Sequence, residues 1–389
     1  MNETICKQPL VLFLGAGASQ PLGLKTTPEF WEWFHFNSGF DFNLLSAIAD
    51  CIQPSEELGG KPDIEAILDI LEKINEGRQL EEKISKNPSF KYSERPPVVE
   101  TNPEVSESKI TQVFKGPPLW VEISDRIKDL VISHYSQLDG EKAFELYRPL
   151  LKLAGRYPLP VFTTNYDLAW EKAYEHGKST PSEISHVEIE DISMIDEDWR
   201  GPFPRRYLSL NLVDGFSRET VTPKWSRSVY EEYFPSFEAD LILFKLHGSV
   251  DWLRTPSGAI QRLESSQRDP GGMKTEIVYP SRLKREIHEE PFRTNYDYLL
   301  ACLLHARLCV VIGFSFRDQE IVEEFRQAME LNEDLKLLIV DSNAEAIQLH
   351  LQKKFGFQPK AQLIKEEFCL HSTGPLTNRI QNELSGAKK

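Results

Sequence analysis

The amino-acid sequence predicts a doubly wound α/β fold with a mostly parallel sheet, a helical insertion and a small cap subdomain. Three observations predict it. Five short apolar runs do not alternate polar with apolar residues, as expected of strands covered on both faces. Segments of helical periodicity separate some of them. Each run also ends in a glycine or a small cluster of polar residues, the pattern of strands that deliver a site to one edge of a sheet.

The runs are "LVLFLG" from Leu10, "LPVFTTN" from Leu159, "LILFKLHG" from Leu241, "LCVVIGF" from Leu308 and "LKLLIVD" from Leu335. "DIEAILDILEKI" places Ile64, Ile67, Leu68, Leu71 and Ile74 on one helical face. "LWVEISDRIKDLVISHY" from Leu119, "DQEIVEEFRQAMEL" from Asp318 and "NAEAIQLHLQKKF" from Asn343 repeat that pattern. "YDYLLACLLHARLCVVIGF", from Tyr296, is interrupted by His305 and Arg307 and reads as helix, turn and buried strand rather than a membrane span. Strand and helix in this alternation give a Rossmann-like sheet.

Two regions depart from the alternation. Residues 40–157 read as a helical insertion, whose stretch 87–118 holds six prolines, few large apolar residues and no period, and reads as a loop. Residues 180–239 are rich in aromatics and proline and read as the cap subdomain. The remainder of residues 1–389 forms the sheet domain, and no internal repeat is visible.

Composition narrows the function. Sixty acidic residues against 45 basic ones give a formal charge of −15, which disfavours broad binding to a phosphate backbone. The five cysteines are scattered with no Cys-x-x-Cys pair, so no zinc knuckle is signalled and the cap is expected to be zinc-free. The apolar run after Lys7 is short and ends in glycines, unlike a secretory signal, so the cytoplasm is the expected compartment and no membrane partner is expected.

Each strand end admits two readings. Gly15-Ala16-Gly17-Ala18-Ser19 either offers backbone N–H groups and a helix amino end to an anion, or is a tight strand–helix turn. It lacks the third glycine and the later acidic residue of the usual dinucleotide fingerprint. In "FTTNYD", Asn165 and Asp167 either face a ligand or cap the following helix. His247, before Gly248, either serves as a base or is a hydrogen-bonded structural residue. In "VVIGFSFRDQEI", Gly313, Ser315 and Asp318 either hold phosphate or ribose or cap a helix, and the same holds for Asp341 and Asn343 in "IVDSN". Five suitable ends on one sheet edge favour a common site.

Taken in order, "GAGAS", "TTNYD", "KLHGS" and "GFSFRD" resemble the SIR2-like domain of bacterial anti-phage defence proteins, distant relatives of the sirtuins. The resemblance implies NAD+ as substrate, with Gly15, Ala16, Gly17 and Ser19 at its pyrophosphate and Asn165 and Asp167 near the nicotinamide ribose, with Thr164 beside them. It implies His247 as the catalytic histidine, Gly313, Ser315 and Asp318 along the dinucleotide, and Asp341 and Asn343 near its adenosine end. The four-cysteine zinc module and the Asp-Phe-Arg of true sirtuins are missing, which favours NAD+ hydrolysis without a metal. The alternatives are a deacylase or ADP-ribosyltransferase using the same pocket, or a non-catalytic nucleotide-sensing scaffold. The resemblance also implies a homo-oligomer partnered with a HerA-type ATPase.

Overall fold

Strand β1 (Leu10–Leu14) is the axis of the structure: all five of its residues are buried, and it is paired in parallel on both sides. The computed structural model of the chain describes residues 9–37, 67–68, 71, 119–179, 211–217, 222–233, 241–263, 274–277 and 286–385. β1 is flanked by β2 (Leu159–Thr163) and β8 (Leu308–Ile312). Beyond β2 lie β4 (Leu241–Lys245) and the short β3 (Leu212–Val213); beyond β8 lie β9 (Lys336–Val340) and β10 (Ala361–Ile364). The order is β10-β9-β8-β1-β2-β4-β3, and every pairing in it is parallel. The expected doubly wound, mostly parallel sheet is therefore present, and the five apolar runs are five of its strands.

Residues on alternate sides of each strand enter two cores, which explains why the strands show no polar alternation. Leu10, Leu12 and Leu14 join one core with α3 (Gly140–Ala154), α4 (Ala169–Ser179) and α9 (Leu370–Ser385). Val11 and Phe13 join the other with α6 (Phe292–His305), α7 (Gln319–Leu331) and α8 (Ala344–Phe355). The chain winds from β1 toward β4 on one side and from β8 toward β10 on the other. The β1–β8 boundary is thus the point where the winding direction changes, the usual place for a ligand in an open sheet.

A second sheet is antiparallel, with β5 (Gly248–Arg254) between β6 (Ile260–Arg262) and β7 (Lys274–Ile277). Within the 180–239 stretch, β3 joins the main sheet, and α5 (Arg227–Tyr233) buries Tyr230, stacked on Phe244 at 4.6 Å. Residues 180–210, 218–221 and 234–239, and most of 40–118 including all of the Pro-rich stretch 87–118 expected to be a loop, lie outside the described residues.

The chain divides into two units. One comprises residues 1–24, 135–278 and 284–389; it contains both sheets and also α3, which the sequence reading placed within the 40–157 insertion. The other comprises residues 25–134 and 279–283. In it, α1 (Thr27–Asn37) buries Phe30, Trp31 and Phe34, while α2 (Leu119–Ser136) buries Ile123, Ile127 and Val131. Thr26 donates its N–H and hydroxyl to Glu29, both at 2.8 Å, a capping arrangement at the start of α1.

Candidate active site

β1 runs not into an α-helix, as its sequence suggests, but into two 3-10 turns, Ala16–Ala18 and Gln20–Leu22. Pro21 and left-handed Gly23 close the second turn at φ 83°, so the chain cannot continue as one helix from Gly15. The N–H groups of Gly15 and Gly17 donate to the carbonyls of Ile312 and Gly313 at 2.9 and 3.0 Å, and those of Ala18 and Ser19 close the first turn. The glycines are small for a reason internal to the fold. A Cβ on Gly15 would lie 2.5 Å from the Gly313 carbonyl oxygen, and one on Gly313 would lie 2.5 Å from Gly17 Cα. The turns after β1 and β8 meet backbone to backbone at the point where the winding changes.

Asn165 is locked onto the first of these turns. Its Nδ2 donates to the Gly15 carbonyl at 2.9 Å and to Ser19 Oγ at 3.1 Å. Because a carbonyl only accepts, this bond fixes the orientation of the amide, and with both Nδ2 protons committed, Oδ1 remains the side chain's acceptor. The loop beneath is held by the Thr164 N–H to Leu14 carbonyl bond at 3.2 Å and by Thr163 Oγ1, which donates to the same carbonyl and accepts from the Asn165 N–H.

Asp167 faces inward. Its Oδ1 accepts from the Ala169 N–H at 2.9 Å, so it caps the start of α4. Burial pushes its pKa up, with the Lys245 ammonium working in the opposite direction. Ser19 lies 3.4 Å from the Tyr147 hydroxyl, which donates to the Ala18 carbonyl at 2.8 Å. Ser19, Tyr147 and Asn165 form one polar network at the end of β1.

His247 follows β4 and makes a hydrogen bond of 2.8 Å between Nε2 and Asp318 Oδ2, with each side chain only 3% exposed. Asp318 is also the N-cap of α7, its Oδ1 accepting from the N–H groups of Glu320 and Ile321. A carboxylate at Nε2 sets that nitrogen as the donor of the neutral ring and stabilises the imidazolium. The Tyr166 ring stands 6.4 Å from the His247 ring, next to Asn165 in sequence.

The β9 end stands further out. It is tied to the centre by the Gly313 N–H to Val340 carbonyl bond at 3.0 Å. Asp341 Oδ1 accepts from the Asn343 N–H at 2.7 Å, and Asn343 is exposed at the start of α8. Ser315 is exposed, while Gly313 and Ala16 are half-buried. The structure therefore draws Gly15, Gly17, Ser19, Asn165, Asp167 and Gly313 into one cluster and pairs His247 with Asp318, with Asp341 and Asn343 at the periphery.

Sequence reasoning missed Tyr147, Lys245 and Glu171. Lys245 had a visible signal, a lone charge at the end of an apolar strand two residues before His247. Tyr147 had none. Among the described residues no group of three or more His, Cys, Asp or Glu is placed to hold a metal, and no helix is long and apolar enough to cross a membrane.

Residues 160–360, just over half of the chain and including the ends of β2, β4, β8 and β9, match the SIR2-like domain. The chain belongs to the SIR2-like domain family. No match was found among curated proteins. Among solved structures, the SIR2-like chain is similar to a Sir2 homologue in complex with NAD, at 10% identity and TM-score 0.44, covering 98% of this chain and 92% of that one. It is similar at 11% identity and TM-score 0.44 to a mutant Sir2 homologue with 2'-O-acetyl ADP-ribose, each chain covered in full (100%). A Sir2–p53 peptide–NAD+ complex matches at 11% identity and TM-score 0.35, covering 98% and 95%.

Proposed function

We propose that this SIR2-like protein is an NAD+ hydrolase that cleaves the nicotinamide–ribose bond with water, giving nicotinamide and ADP-ribose. The observation that carries the reading is the His247–Asp318 pair at the carboxyl edge of a doubly wound sheet that also presents an oriented Asn165. Nicotinamide leaves as a neutral molecule from a cationic glycosidic bond, so the protein has mainly to hold the ribose, place one water and take up one proton. His247 takes that proton from the water or a ribose hydroxyl, a step worth about 10²–10⁴-fold. Asp318 stabilises the resulting imidazolium. Asn165 Oδ1 accepts a hydrogen bond from the water or hydroxyl and so orients it without adding charge. Asp167 works from behind, capping the start of α4, while Ser19 accepts one of the two Asn165 protons. None of these steps uses a metal.

The same resemblance supports a role in anti-phage defence by NAD+ depletion, in a homo-oligomer controlled by a HerA-type ATPase. An enzyme that drains a shared cofactor requires restraint, and a partner supplies it. The aromatics Tyr230 and Phe244 pack in the core, so any interface draws on other residues.

Purified protein incubated with NAD+, alone and with the ATPase, is expected to release nicotinamide, measured by chromatography. His247→Ala should lower the release by about 10²-fold or more with an unchanged circular dichroism spectrum. Wild-type protein that releases none under either condition overturns the reading.

A further inference from the structure

We propose that Lys245, paired with Glu171, is a positioning residue that holds the Asn165 loop and the His247 loop in register; the inference rests on the NAD+-cleaving reading above. Lys245 occupies a core position. Along β4, Leu241 and Leu243 point into the core shared with α3 and α4, and a period of two puts the next residue, Lys245, on the same side. The pattern calls for another leucine there. Instead a lysine is buried, with a side chain only 2% exposed.

Its ammonium donates to Glu171 Oε1 at 2.9 Å and to the main-chain carbonyl of Asp167. Its own carbonyl accepts from Asn295 Nδ2 at 2.9 Å, and the next N–H, that of Leu246, donates to the Thr163 carbonyl at 2.8 Å. Lys245 and its neighbour Leu246 thus tie the exit of β2, the start of α4, the exit of β4 and α6. Asn165 lies two positions before the carbonyl that Lys245 holds, and His247 lies two positions after Lys245 itself.

Stability alone does not account for a charge there. Replacing a buried ion pair with apolar residues of similar size is often neutral or stabilising, whereas removing one partner strands the other. What an apolar pair lacks is a directed bond to the Asp167 carbonyl. Misplacing a reacting group by about 1 Å costs about 10²-fold in rate, so that bond matters for turnover more than for folding.

The test is the double variant Lys245→Met with Glu171→Leu, which removes both charges together. It should fold, keep KM for NAD+ within about threefold and lose about tenfold or more in kcat. Hydrogen exchange at residues 164–168 should accelerate by about tenfold while β8 and β9 exchange as in the wild type. Should this variant not fold, Lys245→Met with Glu171→Gln retains a polar group at Glu171 and is read in the same way. Unchanged exchange at residues 164–168, or a kcat equal to that of the wild type, overturns the proposal. If the wild type releases no nicotinamide, the NAD+ reading falls and the exchange measurement alone decides the positioning role.

Discussion

Asp318 has two tasks, and the residue two positions before it in the loop shows how it is brought to both. Phe316 is buried with φ 56°, a left-handed conformation costly for a bulky side chain, about 1–3 kcal/mol. Its ring is held at 4.9 Å from Phe314 and 5.0 Å from Phe325, and the His350 ring meets its carbonyl at 3.0 Å. The tight turn at Phe316 precedes the point where Asp318 caps α7 with one oxygen and meets His247 with the other. The two tasks separate in Asp318→Asn. Asparagine caps a helix about as well as aspartate, so unfolding free energy should stay within about 1 kcal/mol of the wild type. The carboxylate facing Nε2 is lost, and kcat for nicotinamide release should fall by about 10²-fold or more. Wild-type turnover in that variant would leave Asp318 as a cap alone.

At the scale of elements, the site rests on two turns that touch. Gly313 has φ 61° and a neighbour's backbone where its Cβ would be; Gly23 has φ 83° and nothing within 4 Å. Gly23→Ala therefore carries only the conformational cost, about 1–2 kcal/mol. Gly313→Ala adds overpacking against a backbone that cannot rotate away, about 2–4 kcal/mol in all. Urea unfolding of the two variants measures the difference, and equal losses would mean that the turns do not press together. The glycines were legible in the sequence, but the object they make room for was not, because a contact between residues 15 and 313 leaves no local pattern. The main strands and α2, α7 and α8 could be read because burial on both faces or helical periodicity writes itself into consecutive residues. β10 could not: all four of its residues are only half-buried, and Gln362 interrupts a short edge strand. α9 contains Gly374 and Pro375, residues that ordinarily mark a break. The signal at Lys245 was visible but is ambiguous, because a charged residue at the end of an apolar run also reads as the strand's exit to solvent, and nothing local in the sequence links it to Glu171.

For the whole molecule, the −15 formal charge and the buried acids act in the same direction. Burial raises the pKa of Asp167 and of Glu171, with Lys245 opposing in both cases. Glu324, on α7, is pushed from 4.5 up to about 7 by burial and then by Asp297 and Glu323. A carboxyl whose folded pKa lies above its unfolded value keeps its proton in the native state while the unfolded chain gives its proton up. Its contribution is fully present below the unfolded value, near 4.5 for Glu324, and is lost as pH rises through about 7. Mutual repulsion among ionised carboxylates grows over the same interval. Stability should therefore decline between pH 5 and pH 7.5, roughly the span between those two values for Glu324. Glu324→Gln carries no titrating proton at that position. Relative to the wild type its melting temperature should rise steadily across the interval, by on the order of 1–2 °C, and then level off above the folded value. Thermal melts of both proteins at closely spaced pH values measure this. A difference that does not change with pH would mean that Glu324 titrates alike in the folded and unfolded chains, and the decline would then belong to the other carboxylates.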